Sequence, residues 1–194
     1  MNIIYPIKLQ KKLYRQLDAI YSLRVGTLLG SVGCNLLVNR CINICNGCIY
    51  IGDNVHIFNN CILATHPNSN YQHPILTVGN GCSLGEQIHI TSANKITIGD
   101  NLLTGRRCTI TDNSHGFSTI SDLSISPHIR QVVSKGAVMI GKNVWLGDNV
   151  IVLPEVRIGD GVVVGANSVV TKDIPSYSVA VGNLIRIIKT NNIN

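Results

Sequence analysis

From Val138 to Pro175 the aliphatic residues recur at every sixth position: Ile140, Leu146, Val152, Ile158, Val164 and Val170. Glycine follows in Ile140-Gly141, Leu146-Gly147, Ile158-Gly159 and Val164-Gly165. A second small or β-branched residue sits four places on, at Val144, Val150, Val156, Val162 and Ser168. A period of six fits neither a helix nor a lone strand; it marks a parallel β-helix. Each hexapeptide is then one short strand and one corner, with Gly, Asn and Asp at the corners because they tolerate positive φ. The aliphatics stack coil on coil inside a prism, so the chain is predicted to be all-β.

The same beat begins loosely at Val32, Val38 and Ile44, then slips by one residue to Ile51, Ile57 and Leu63. Residues 64–77 break it with two prolines and form a loop or bulged corner. It resumes at Val78, Leu84 and Ile90, and slips by two residues to Ile98, Thr104 and Ile110. A serine-rich interruption then spans 116–137, and loops of that length in compact domains tend to carry function. Ahead of the repeats, Leu9, Leu13, Leu17, Ile20 and Tyr21 fall at helical spacing beside Lys8, Lys11, Lys12 and Arg15, predicting an amphipathic helix over 7–24. Such a helix either caps the open end of the prism or lies on a membrane surface. The predicted organisation is a helical cap over 1–30, a β-helix over 31–181 and a short basic tail over 182–194.

Composition narrows the classes. Aromatic residues are 5% of the chain and glycine numbers 18, as a narrow core of Ile, Val, Leu and Cys requires. No run approaches the roughly 20 apolar residues of a membrane span, and no cleavable leader opens the chain, so a cytoplasmic protein is expected. The net charge of +6 is scattered, with Trp145 the single tryptophan. Nucleic-acid binding wants clustered cations with stacking aromatics, whereas an anionic small ligand suits this distribution. Of the seven cysteines, Cys41, Cys45 and Cys48 hint at metal. However, Cys48, Cys61, Cys82 and Cys108 occupy the fifth place of a hexapeptide, where small inward residues belong, and no histidine lies at finger spacing. Buried free thiols acting as small hydrophobes, and no metal, are expected.

Candidate chemistry sits just before the long interruption, in Thr111-Asp112-Asn113-Ser114-His115-Gly116. A neutral imidazole at the rim of a coil can take a proton from an attacking hydroxyl; the same histidine could equally make a turn hydrogen bond. Asp112 could orient its ring or simply occupy a corner.

Residues 98–189 resemble the hexapeptide-repeat acyltransferases, a left-handed β-helix family, and are closest to the sugar O-acetyltransferases of bacterial surface polysaccharides and to the maltose and galactoside acetyltransferases. The resemblance is carried by Ile110 to Gly116, by Ile140-Gly-Lys-Asn-Val-Trp145-Leu-Gly147, by Gly165-Ala-Asn-Ser168-Val-Val-Thr171-Lys172-Asp173-Ile-Pro175, and by Val181-Gly-Asn183 ahead of Arg186 and Lys189. It implies acetyl-CoA as co-substrate, a carbohydrate acceptor, and a homotrimer with a site in each groove between neighbours. It further implies His115 as general base, with Trp145 and Gly147 flanking the pantetheine arm. Ala166 and Ser168 would lie on the coil whose backbone meets that arm, and Thr171, Lys172, Arg186 and Lys189 would face the nucleotide end, where cations suit phosphates. Asn113, His128 and Arg130, with Ser118 and Asp122, are acceptor-side candidates.

The sequence departs from the family where Asn113 replaces the first histidine of Asp-His-x-His and where Leu184 replaces a proline. The histidine and tryptophan segments also lie further apart than in the maltose and galactoside enzymes, so a different acceptor is expected. Other readings are a streptogramin- or chloramphenicol-type acetyltransferase, a γ-type carbonic anhydrase using His56, His66, His73 and His89, and a non-catalytic β-helix protein.

Overall fold

In a computed structural model of the chain, residues 7–39, 43–45, 48–68 and 70–191 are described, with side chains from residue 16 onward apart from Asn43 and Cys45. The short strands stack in parallel into three sheets that form the faces of a prism. The first face carries Ser31–Val32, Ile49–Ile51, Ile75–Val78, Lys95–Ile98, Val138–Ile140 and Arg157–Ile158. The second carries Leu37–Val38, His56–Ile57, Ser83–Leu84, Leu103–Thr104, Trp145–Leu146, Val163–Val164 and Ser178–Val181. The third carries Asn43–Cys45, Ile62–Thr65, His89–Ser92, Thr109–Thr111, Ile151–Val152 and Val169–Val170.

The sixth-residue aliphatics are the core. Ile98, Ile140 and Ile158 align on the first face, Leu146, Val164 and Ala180 on the second, and Ile90, Ile110, Val152 and Val170 on the third. Nearly all are fully buried, because their columns face one another across the narrow axis. Cys61, Cys82 and Cys108 fill inward corners as expected; Cys108 donates to Gly147 O at 3.1 Å, and burial raises its thiol to about 11. Cys48 is half-buried and Cys34 exposed, while Cys41 lies outside the described residues.

Every departure from the period falls on one edge, where the third face turns back to the first, here called the return edge. Ile44 to Ile51, Leu63 to Val78, Ile90 to Ile98 and Ile110 to Ile140 all cross it, whereas the other two edges keep the count of six. Both long excursions leave from this edge. The second opens with an antiparallel hairpin of Asn113–His115 and Val132–Ser134.

Two terminal expectations change. Arg186–Thr190, read as part of a tail, pairs antiparallel with Ser178–Val181 and extends the second face. Helix α1, Ile7–Gly26, does sit on the first coil, where Val25 is buried and the Ser22 hydroxyl accepts from Val38 N at 2.7 Å. Of the stripe expected to face the prism, Tyr21 packs against the core, whereas Leu17 and Ile20 point away, 39% and 65% exposed, as does Leu23 at 77%. Leu9 and Leu13, with Lys8, Lys11, Lys12 and Arg15, lie outside the described side chains.

Candidate functional site

The root of the long excursion is held by Asp112, a fully buried carboxylate. Its oxygens accept from Ala93 N (2.6 Å), Asn94 N (3.0 Å), Lys95 N (2.8 Å), the Ser92 hydroxyl (2.9 Å) and the Asn113 amide (3.2 Å). A buried charge needs such a set of donors. These bonds tie the point where the chain leaves the coil to the preceding turn of the same edge. The carboxylate is therefore turned into the prism, and the role considered for it, orienting the His115 ring, is not the one its hydrogen bonds serve. Asn113 is likewise engaged, its amide donating to Thr91 O and Thr91 Oγ1, each at 3.0 Å.

Two residues on, His115 is exposed, paired to Val132 across the hairpin. The excursion beyond folds on itself. Gly116 at φ +78° leaves no room for a Cβ beside the Asp122 carboxylate, which lies 2.8 Å from that position. Asp122 accepts from Phe117 N, Thr119 N and the Thr119 hydroxyl, whose bond holds its carboxyl below the usual carboxylate range. The Arg130 guanidinium donates to Ile125 O through Nε (3.2 Å) and Nη2 (3.0 Å), so it closes the loop, while His128 stands exposed. Ser118 is exposed at φ +61°.

A second group gathers on the second face and its edge with the third. Trp145, 52% exposed, stands in an outward column between Leu103 and Val163. Gly147 lies so close to the next coil that a Cβ would meet Ala166 N at 2.6 Å, leaving Ala166 exposed beside it. The buried Ser168 hydroxyl donates to Gly165 O (2.6 Å) and accepts from Gly182 N (2.8 Å), locking the coil. The column of Trp145 continues through Val163 and Val179 to Lys189, and Arg186 lies on the same added strand; both cations are exposed.

One copy does not unite these groups. His115, Thr171 and Lys172 lie on the return edge, the last two on later coils. Trp145, Gly147, Ala166, Ser168, Arg186 and Lys189 lie across the prism from it. Among the described residues no three His, Cys, Asp or Glu side chains gather to hold a metal. Of the four other histidines considered, His56 stacks on Phe58 at 3.9 Å and contacts Asn39 on the second face, whereas His66 and His73 belong to the first excursion on the return edge. The sequence reading missed a cleft of about 260 Å³ one coil before Trp145, lined by Phe58, Glu86, Leu103 and Arg106. Those residues sit at ordinary strand and corner positions, so the period gave them no signal.

The bacterial transferase hexapeptide (six repeats) pattern matches residues 137–172. WbbJ of Escherichia coli (strain K12), assigned to lipopolysaccharide biosynthesis as an O-acetyl transferase, is 41% identical over 121 residues, covering 61% of this chain and 62% of that protein. A Lysinibacillus sphaericus protein assigned as a macrolide acetyltransferase is 34% identical over 110 residues, covering 47% of this chain and 61% of its own length. The chain thus spans less than two thirds of the length of these curated relatives. Among solved structures, AntD, an N-acyltransferase from Bacillus cereus in complex with dTDP and 3-hydroxybutyryl-CoA, superposes with a TM-score of 0.69 at 27% identity, covering 99% of this chain and 92% of that one. With its repeats and its parallel prism, the chain carries the transferase hexapeptide pattern and shares the left-handed β-helix fold of these acyltransferase structures.

Proposed function

We propose that the protein transfers an acetyl group from acetyl-CoA to a sugar hydroxyl of a surface polysaccharide or its precursor, with His115 as general base. The observation that carries this reading is the placement of His115: an exposed imidazole on a paired strand whose root is fixed by the Asp112 bonds. A base must be held within hydrogen-bond reach of the proton it takes, and this one is held by backbone rather than by a free loop. The imidazole accepts the proton of the acceptor hydroxyl as the oxygen bonds to the thioester carbonyl carbon. The carbon–sulfur bond then breaks, and the proton passes to the departing thiolate of coenzyme A. A backbone N–H at the thioester oxygen would steady the oxyanion. The CoA-bound complex of a neighbour over nearly the full chain supports the donor, and WbbJ supports a saccharide acceptor.

The donor arm is assigned to Trp145, Gly147, Ala166 and Ser168, with Thr171, Lys172, Arg186 and Lys189 toward the nucleotide phosphates. Because His115 and Trp145 lie on opposite sides of one prism, the working unit is read as a homotrimer whose grooves each take a return edge from one copy and a second face from the next. The macrolide relative supports a second reading, acetylation of a xenobiotic hydroxyl by the same residues.

Thiol release from acetyl-CoA, measured against sugars, nucleotide sugars, macrolides and streptogramins, tests the assignment. A sugar-stimulated rate that falls roughly 10²–10⁴-fold in His115→Ala is expected. Turnover unchanged by that substitution removes His115 from the mechanism, and stimulation by the antibiotics alone transfers the acceptor to the xenobiotic class.

A further inference from the structure

We propose that α1 rests on an anionic lipid surface, with Leu17, Ile20 and Leu23 entering the boundary between headgroups and acyl chains. The three side chains stand on the side of the helix opposite Ser22 and Val25, which meet the prism. Leu28, just after the helix, is also 58% exposed. A helix docked on a coil by one side should bury its apolar residues there. Here Tyr21 and Val25 meet the core while Leu17, Ile20 and Leu23 are turned outward, so this exposed part of the stripe serves something beyond the prism.

Charge decides what that is. The helix sequence carries Lys8, Lys11, Lys12, Arg15 and Arg24 against Asp18 alone, so most of the net +6 of the chain is concentrated in it. A second copy of so basic a helix would be repelled, whereas an anionic leaflet attracts it, and polybasic amphipathic helices of this kind lie in the membrane interface. No helix among the described residues is long and apolar enough to cross a membrane, so the contact is peripheral. The inference stands on α1 and is independent of which acceptor the protein uses.

Sedimentation of the full-length protein with vesicles tests it. Vesicles of phosphatidylcholine mixed with phosphatidylglycerol should carry the protein down at low salt and release it at high salt, while phosphatidylcholine alone should not carry it. Ile20→Glu with Leu23→Glu, both exposed sites, should leave the circular dichroism and the oligomeric mass unchanged and cut the bound fraction roughly tenfold or more. Failure of the wild type to sediment with the anionic vesicles, or equal sedimentation of the variant, overturns the proposal. So does a variant whose oligomeric mass drops, since the stripe would then be covered by another copy.

Discussion

His115 and Trp145 stand on opposite sides of the same prism, His115 at the edge where the third face returns to the first and Trp145 on the second face. If one groove needs both, two copies must supply them. Mixing His115→Ala protein with Trp145→Ala protein under conditions that exchange subunits should therefore regenerate activity that neither has alone. Random mixing leaves about a quarter of the grooves with both native residues in a cyclic assembly. No recovery after verified exchange would mean that each copy works by itself.

Asp112 acts on architecture. Its removal in Asp112→Ala strands the Ala93 amide in a buried corner and frees the Asn94 and Lys95 amides at its part-buried rim. The expected loss is about 3 kcal/mol or more, or roughly 6–12 °C in Tm for a chain of this size. Calorimetry of the variant checks this. A Tm within about a degree of wild type would show that the corner does not need the carboxylate.

Ala166 offers a test of the donor path that spares the fold. Its side chain is exposed beside Gly147, so Ala166→Leu should fold with an unchanged Tm. A side chain added there would obstruct the proposed pantetheine path and raise KM for acetyl-CoA by roughly tenfold or more. Steady-state kinetics with varied acetyl-CoA decides; an unchanged KM places the pantetheine elsewhere.

The inward thiols set an alkaline limit on stability. Burial lifts Cys108 from 9.0 to about 11 and raises Cys61 and Cys82 in the same direction. With the folded value above the unfolded one, the native state retains a proton that the unfolded chain releases. The contribution is complete below about pH 9 and is lost as pH rises toward 11. Thermal unfolding should show Tm falling across that window, and Cys108→Ala should flatten the fall. Parallel wild-type and variant curves would assign the alkaline loss to other groups.

The prism was legible because the period of six is a direct imprint of strand-plus-corner geometry, and the slips at Ile51 and Ile98 were visible as breaks in that count. What the count could not give is that both slips and both excursions share one edge, since that follows only when the coils are stacked in register. His115 was legible as an imidazole at a coil rim, where the fold leaves it exposed. Asp112 was not legible in its role, because a corner aspartate that accepts backbone amides and one that orients an imidazole look alike in sequence. The outward stripe of α1 was hidden for a similar reason: helical spacing says which residues share a side, not which side finds the partner.

The confinement of every irregular crossing to the return edge gives the chain one place where its length is adjustable. Residues can be added between Ile110 and Ile140, or between Leu63 and Val78, without shifting the stacking of any other column. The edge between the second and third faces, on which Ala166 and Ser168 lie, keeps its count of six throughout. A protein built this way can exchange whatever its loops recognise by insertion and deletion while the opposite wall stays fixed, so what the two sides bind can diverge at different rates.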